Sequence, residues 1–436
     1  MTSSVAHHEE SGVQLRWISL ATVATAAAAL LLYVSGSFIV TELLGIKRLA
    51  EAVLIVPIAV ASAVYFARRP ARMLDPLIGF VVLKTVIEAA FRHEWIWIFD
   101  DLATLMSIMV ILSAPGRSVK TGARVIVLVA ATFAAMALVQ WVMLFLFPSL
   151  GVYRLIVADD DVLINSVGHP IALLGLFSEQ QYTLLGQDVA RMQSFAKEPS
   201  LNVVYFLLPA CLAFLLEVRW ALLAIGAIVA FCLLSLSGSI FLSFGFTAVW
   251  IVLMAVFSVR NAFAFGLPAF VVLYIYVLKS FGLEPLFQGI AYVAQYGDFL
   301  NKGESLTNRG TQASANADSV LSLPLGSPEH PDLPGPWLVN GTLEAGWLGG
   351  LLLLWFLRNL AVEVDRFNAG APYLSWRRLG VLLLLGTMST IVVFNDYQMS
   401  NYAGLTLVAF IYRMICLKNE KRLPKHVTEG AAHTKA

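Results

Sequence analysis

The sequence predicts an all-α polytopic membrane protein of about 12 transmembrane helices, with two extended loops on its extracytoplasmic face. The first observation is composition: the 436 residues are 59% hydrophobic and only 13% charged, whereas roughly 25% of a soluble domain is charged. The second is a mean hydropathy of +0.78, sustained along the chain. The third is an alternation of basic residues between successive loops. Together these observations exclude an ordinary soluble domain.

A membrane span needs about 20 apolar residues, and runs of roughly that length recur through the chain. A group of small polar residues near 235–239 predicts a tight turn between two spans rather than one very long helix. The predicted spans are 16–35, 50–67, 74–91, 95–113, 124–147, 200–217, 220–236, 239–258, 262–280, 338–357, 378–395 and 400–417.

Basic residues predict the orientation. When the loops are assigned alternately to two faces, 19 of the 29 Lys and Arg residues fall on one face and nine on the other. The positive-inside rule places the richer face in the cytoplasm. Both termini are then cytoplasmic, and the two long loops lie outside. The predicted organisation is 1–147 (N-terminal helices), 148–199 (first long loop), 200–280 (central helices), 281–337 (large loop), 338–417 (C-terminal helices) and 418–436 (cytoplasmic tail).

The large loop at 281–337 is the longest polar interruption and holds six of the 17 prolines. Long loops in membrane proteins often carry function, so it is predicted to form one wall of an active site. Apolar residues within 286–297 recur at helical spacing and predict an interfacial helix. In the first long loop, Asp188 to Phe195 is expected to form a helical turn before Pro199.

Arg191 and Arg309 are predicted to lie on the outer face, where the positive-inside bias opposes them, and Arg154, Lys197 and Lys302 accompany them on that face. The guanidinium fork suits phosphate oxygens and stays charged at any pH. The residues therefore favour a site for a lipid-linked diphosphate. A salt bridge or an anchor to lipid headgroups is the alternative for each arginine taken alone.

Four residues are candidates to accept a proton. Glu198 precedes Pro199 at the mouth of a span, and Glu344 lies about two turns into an apolar run, where an unpaired charge is costly. His169 and His330 lie in the two outer loops and titrate near neutral pH. Structural pairing for Glu344, and ordinary loop roles for the histidines, remain open alternatives.

Other features predict structure rather than chemistry. Lys84 and Glu88 are spaced i, i+4 inside one span and are expected to neutralise each other. The three cysteines fall within apolar segments, so neither a disulfide framework nor a metal site is predicted. No nucleotide-binding or serine- or zinc-hydrolase motif is present in the sequence, and nothing in it indicates a nucleic-acid partner.

Four segments in order resemble the bacterial O-antigen polymerase and O-antigen ligase superfamily. The segment from Arg191 to Ser200 resembles a family motif in which an Arg, a Phe and a Glu-Pro or Asn-Pro pair follow one another with gaps between them. Leu234–Ser239 resembles the family's serine-rich turn. The segments Asn308–Gly310 and Leu323–Gly326 are similar to the Arg and Pro-Leu-Gly pattern of its large loop. Gly341–Gly350 is similar to the Leu-x-Glu-x-Gly-x-x-Gly segment that returns to the membrane. The resemblance covers about residues 150–357.

The resemblance implies a GT-C-like helical bundle in the bacterial inner membrane. The donor would be a polyprenyl-diphosphate-linked oligosaccharide, without a nucleotide sugar, metal or other cofactor. Arg191 and Arg309 match the family's diphosphate-binding positions, whereas Glu198 and Glu344 match acidic or amide positions. The family's His-Asn pair, about nine residues before that Glu, is here Gly335-Pro336. The nearest histidine is His330.

Three functions are consistent with the sequence. The first is a polymerase that joins lipid-linked repeat units into exopolysaccharide, capsule or O-antigen. The second is a ligase that moves a finished glycan from its lipid carrier to an acceptor. The third is a transporter or flippase of an anionic lipid or sugar. Membrane lipids, a flippase and a chain-length regulator of the same pathway are the candidate partners.

Overall fold

The computed structural model describes most of the apolar chain and part of each long loop. The ranges it describes are 2–36, 47–68, 75–146, 171–172, 175–184, 187–194, 202–216, 219–235, 237–281, 315–328, 336–372, 375–394 and 401–421. The predicted interfacial helix at 286–297 lies outside these residues.

Twelve principal helices account for most of these residues. A π-helical turn, Glu88–Arg92, extends α3, and the turns Val203–Leu207 and Ala262–Gly266 precede α6 and α9. A further helical segment covers 315–322. The helices are α1 (Thr2–Gly36), α2 (Lys47–Arg68), α3 (Pro76–Ile87), α4 (Trp95–Ser113), α5 (Gly116–Leu146), α6 (Leu208–Leu216), α7 (Arg219–Leu234), α8 (Gly238–Val256), α9 (Leu267–Phe281), α10 (Trp337–Asn368), α11 (Trp376–Phe394) and α12 (Tyr402–Glu420).

The prediction of a helical membrane protein is confirmed. A helix lies at each of the twelve predicted runs. Among the described residues, six helices are long and apolar enough to cross a membrane, and three shorter apolar helices accompany them. The predicted limits were short by several residues at four places, because α1 begins at Thr2, α5 begins at Gly116, α10 runs on to Asn368 and α12 runs on to Glu420. That all twelve cross the bilayer stays a prediction.

Burial separates the centre of the bundle from its surface. Along α6, α11 and α12, most side chains are buried, so these helices form the centre. In contrast, α8 and α9 expose large apolar side chains such as Val252, Val256 and Val272. Exposed apolar side chains at this density are expected of a surface that faces lipid.

Helices α8 and α11 form a close pair in which hydroxyl groups supply the polar contacts. The Ser243 hydroxyl donates to Thr390 Oγ1 at 3.0 Å, and the Trp250 indole donates to Ser389 Oγ at 2.8 Å. Such bonds between membrane helices contribute about 0.6–2 kcal/mol each. Gly386 lies at the same crossing, where it allows close approach of the two backbones.

The first long loop contains a small antiparallel sheet, which lies outside the predicted transmembrane helices. Its strands are β1 (Ile171–Ala172), β2 (Gly175–Leu184) and β3 (Gln187–Ser194), in that order. The helical turn expected at Asp188 to Phe195 is therefore wrong. The pairing of Leu184 with Gln187 leaves only two residues between the strands, and a two-residue connection containing glycine is a hairpin signal. The sheet lies against α5, and β3 also lies against α7.

The crossing of α8 and α11 predicts a stability difference between two glycine variants. A Cβ at Gly386 would overlap Thr247 Oγ1 and lie 2.5 Å from Ser243 O, whereas a Cβ at Gly245 meets nothing within 4 Å. Gly386→Ala is expected to destabilise the protein by about 1–3 kcal/mol through overpacking. The measurement is the apparent melting temperature of purified protein in detergent, with Gly245→Ala as the matched control. Equal melting temperatures for the two variants would contradict the close approach.

Candidate functional site

Five charged side chains meet inside the bundle, and we call Lys84, Glu88, Arg92, Asp101 and Glu344 the charged cluster. The first three are spaced i, i+4 along α3 and its π turn, so they share a face. Lys84 Nζ lies 2.9 Å from Asp101 Oδ1 on α4 and 3.9 Å from Glu344 Oε2 on α10. Arg92 Nη1 instead contacts Glu88 Oε2 at 2.8 Å.

The expected neutralisation of Lys84 by Glu88 is therefore wrong. Spacing within one helix shows which side chains can meet, but it does not include acids on neighbouring helices. Here Asp101 and Glu344 face Lys84 from two sides, and Arg92 at the end of α3 takes Glu88. Lys84 and Glu88, although spaced i, i+4, thus belong to two separate ion pairs.

The cluster is almost fully buried. The side chains of Lys84 and Asp101 are 3% and 4% exposed, and that of Glu344 is 7% exposed. Charges in such a low-dielectric place are costly unless they are paired. The cluster holds two cations against three carboxylates, so full ionisation would leave one excess negative charge. One further proton or cation would make it neutral.

Helix α10 is broken at Gly346, two residues after Glu344. Gly346 has φ 69° and ψ 180°, a conformation essentially restricted to glycine. In an unbroken helix the Trp347 amide would donate to Leu343 O. Instead it donates to Pro324 O at 2.9 Å, and Leu343 O accepts from the Ser327 amide at 2.7 Å.

Residues 323–327 of the large loop thus replace a missing helical hydrogen bond with two others, and we call this segment the docked turn. Arg92 secures it, because its Nε and Nη2 donate to Ser327 O at 3.2 and 3.0 Å. The Trp347 indole donates to Val320 O at 2.7 Å on the other side. Gly326 has φ 99°, and a Cβ there would lie 3.0 Å from Leu343 O. The segment therefore fits only with glycine at this point.

The first half of α10 carries a buried polar face formed by Trp337, Asn340 and Glu344. Asn340 Oδ1 accepts from Asn316 Nδ2 at 2.9 Å, which fixes the helical segment 315–322 to α10. Within the described residues, Trp337 Nε1, Asn340 Nδ2 and Glu344 Oε2 are buried without a hydrogen-bond partner. Buried polar atoms are normally satisfied. Glu344 Oε2 has its ion pair with Lys84, which leaves Trp337 Nε1 and Asn340 Nδ2 as the atoms of this face without a partner among the described residues.

Of the eight predicted site residues, the structure describes two, Glu344 and Arg191. Glu344 belongs to the charged cluster, against α3 and α4. Arg191 lies on β3, paired through the backbone with Ser178, and that sheet lies against α5 and α7. The two residues thus belong to elements that pack on different helices. Outside the described residues are Arg154, His169, Lys197, Glu198, Arg309 and His330.

Sequence reasoning missed Arg92 and Asp101, and it misjudged Lys84. Arg92 was counted only as a loop cation, yet it is 2% exposed and bridges α3 to the docked turn. The available signal for Asp101 was its position six residues inside a predicted span, where an acid is a functional hypothesis by default. A buried lysine and a buried acid in consecutive spans should have been considered as a pair.

The Lys84–Asp101 pair predicts a strongly destabilising variant. Lys84→Met removes the cation and leaves Asp101 and Glu344 buried without compensation, which is expected to cost about 3–5 kcal/mol. Adding Asp101→Asn should recover part of this loss, because the uncompensated charge is removed. The measurements are the yield of monodisperse protein and its apparent melting temperature in detergent.

Arg48→Gln is the matched control, since Arg48 is a basic residue whose side chain is 76% exposed in its pair with Glu51. An exposed pair of this kind contributes about 0–1 kcal/mol, so the control is expected to remain close to wild type. The ion-pair assignment would be contradicted if Lys84→Met were as stable as Arg48→Gln. It would also be contradicted if Asp101→Asn gave no recovery.

Comparison of the chain with protein-family models, with curated protein sequences and with solved structures gives no match. What the protein does must therefore be inferred from its own residues and their geometry. The region around Glu344 combines buried charges, the broken helix α10 and the docked turn of the large loop.

Proposed function

We propose that the protein is a membrane glycosyltransferase that joins polyprenyl-diphosphate-linked oligosaccharide repeat units into exopolysaccharide, capsule or O-antigen. One observation carries the proposal. The docked turn holds the Pro-Leu-Gly segment, and it binds the broken helix α10 beside Glu344 within the Leu-x-Glu-x-Gly segment. Two of the four segments that resemble the polymerase and ligase superfamily are thus in direct contact, although they are separated in sequence.

The geometry also supports a role for the large loop in holding substrate. Arg309 precedes the helical segment 315–322 by six residues, and that segment is fixed to α10 through Asn316 and Asn340. Because of this proximity in sequence to the anchored segment, Arg309 is our candidate to hold the lipid diphosphate. Neutralising the departing diphosphate is the main electrostatic demand of the reaction. Arg191, Lys197 and Arg154 would contribute further positive charge from the first long loop.

Burial argues that Glu344 positions other residues rather than accepting the proton. Its carboxylate faces Lys84 within the bundle, and a general base must reach the acceptor hydroxyl within hydrogen-bonding distance. We assign Glu344 to supporting the break in α10 and the docked turn. His330 follows Ser327 by three residues and is our candidate for the base, with Glu198 and His169 as the other candidates.

The cellular placement follows from the same proposal. We place the protein in the bacterial inner membrane with both termini in the cytoplasm, as the bias of basic residues favours. In this orientation the docked turn, Arg92 and the first half of α10 belong to the extracytoplasmic end of the bundle. This is the face where a lipid-linked oligosaccharide would present its diphosphate after translocation.

The two outer arginines provide the direct test. In the native host, Arg191→Ala and Arg309→Ala are each expected to reduce polymerisation by about 100-fold, the loss typical of removing one electrostatic donor. Chain length is measured by gel electrophoresis, and lipid-linked intermediates by mass spectrometry. Single repeat units should accumulate on the carrier. Arg366→Ala is the control, because this exposed arginine pairs with Glu363 near the end of α10 that lies far from Glu344.

Two outcomes would change the assignment. Long polysaccharide that persists in the variant with both arginines replaced, with the protein present in the membrane, would exclude the proposal. If full-length chains instead accumulated on the lipid carrier, the protein would be a ligase, because polymerisation would be intact and transfer to the final acceptor lost. The electrophoretic pattern therefore distinguishes the two transfer reactions.

The charged cluster favours one candidate from another class, a transporter or flippase of an anionic lipid or sugar. Broken helices and buried charges occur at the binding sites of transporters, and α10 and the cluster provide both. Purified protein in detergent, supplied with lipid-linked repeat units, separates the classes. Conversion to polymer where no membrane has to be crossed supports the enzyme. Substrate flux in sealed vesicles without any new glycosidic bond supports the transporter.

A further inference from the structure

A second site lies at the other end of the bundle, where α5 begins and α12 ends. It is a cavity of about 280 Å³ lined by Arg117, Lys120, Lys418 and Lys421. We call it the basic pocket. Its apolar floor includes Met414 and Leu417, which are buried. No acidic side chain is among the described residues that line it.

The four cations come from two helices and lie close together. The charges of Lys418 and Lys421 act on Lys120, and Arg124 on the next turn of α5 adds to their repulsion. On α12, the acid next to Lys421 is Glu420, and it is engaged with Arg413 at 2.8 Å. The basic pocket is thus a local concentration of positive charge within a concave surface.

The helix dipoles explain only half of this arrangement. Lys418 and Lys421 stand in the last turns of α12, where cations interact favourably with the negative end of the dipole. Arg117 instead stands in the first turn of α5, at the positive end, where a cation is unfavourable. A cation at that place does not stabilise the helix, but the cation and the first-turn amides would together attract an anion.

We infer that the basic pocket binds the phosphate headgroup of an anionic phospholipid. The pocket lies between two membrane helices at their charged ends, and basic pockets in such places suit anionic headgroups. Guanidinium and ammonium groups supply the donors that phosphate oxygens require. This site is separate from the charged cluster, and the inference does not depend on the proposed glycosyl transfer.

A lipid fits the basic pocket better than a water-soluble phosphate does. Met414 and Leu417 provide an apolar floor below the cations, and a floor of this kind contributes nothing to a small hydrated anion. The glycerol backbone and first acyl carbons of a lipid would instead bury against these side chains. Phosphate and apolar chain would then be held by two parts of one pocket.

The test compares lipid binding by delipidated full-length protein in detergent. Phosphatidylglycerol, phosphatidylethanolamine and inorganic phosphate are added separately, and bound lipid is measured by native mass spectrometry. The double variant Arg117→Gln/Lys421→Gln should bind phosphatidylglycerol at least about tenfold more weakly than wild type, given the usual contribution of each basic residue. Phosphatidylethanolamine should bind both proteins equally and weakly.

The matched control is Arg260→Gln/Arg358→Gln, which removes two exposed basic residues outside the basic pocket and should bind as wild type does. Equal binding of phosphatidylglycerol by the double variant and wild type would overturn the inference. So would binding of inorganic phosphate as tight as that of phosphatidylglycerol, because the ligand would then be a soluble anion. If the double variant were not monodisperse, the single variant Lys120→Gln and wild-type protein in high salt would be measured instead. Both should bind phosphatidylglycerol more weakly than wild type in low salt, and unchanged binding in both would overturn the inference.

Discussion

The ion pair between Lys84 and Asp101 is the constraint on which the end of the bundle that holds the docked turn depends. Their 2.9 Å contact joins α3 to α4, and Glu344 brings α10 to the same point. None of these charges is acceptable alone in an apolar interior, since an isolated buried ion costs several kcal/mol. Each helix is therefore held in register by a partner on another helix. Apolar packing, which tolerates sliding between similar side chains, would not fix that register so strictly.

A fixed register at Glu344 in turn determines what happens two residues later. Backbone groups inside a membrane must be satisfied within the protein, so the break at Gly346 requires outside partners. The docked turn provides them through Pro324 O and the Ser327 amide, and Arg92 holds the turn by its carbonyl. Because Arg92 is also paired with Glu88, the charged cluster and the loop are one connected network. A loop that belongs to such a network behaves as part of the bundle.

The sequence allowed prediction of the helices because long apolar runs have few alternatives in a membrane. It could not predict which charges meet, because Lys84 can reach Glu88 along its own helix and Asp101 across to the next. That choice depends on helix packing, which the local pattern does not contain. The strand β3 was missed for a similar reason: its pairing with β2 is a tertiary contact, and only Gly186 at the connection signalled it. Glu344 was predicted either to accept a proton or to be structurally paired, and the local pattern did not indicate that Lys84 faces it.

The same network also bears on whether the bundle catalyses or transports. Alternating access requires an element at the site to move, and each contact broken in the interior must be replaced by another. Moving α10 against α3 would break the contact between Lys84 and Glu344. It would also break bonds of the docked turn, which is joined to α10 by the Ser327 amide and to Arg92, beyond α3, by Ser327 O. These contacts bind the loop to both helices at once, so they oppose such a movement. A preorganised site for glycosyl transfer instead requires groups that stay in place as charge develops in the transition state. The cross-linked contacts around the docked turn are therefore consistent with the proposed transfer reaction, and buried charges with a broken helix are also what transporters have.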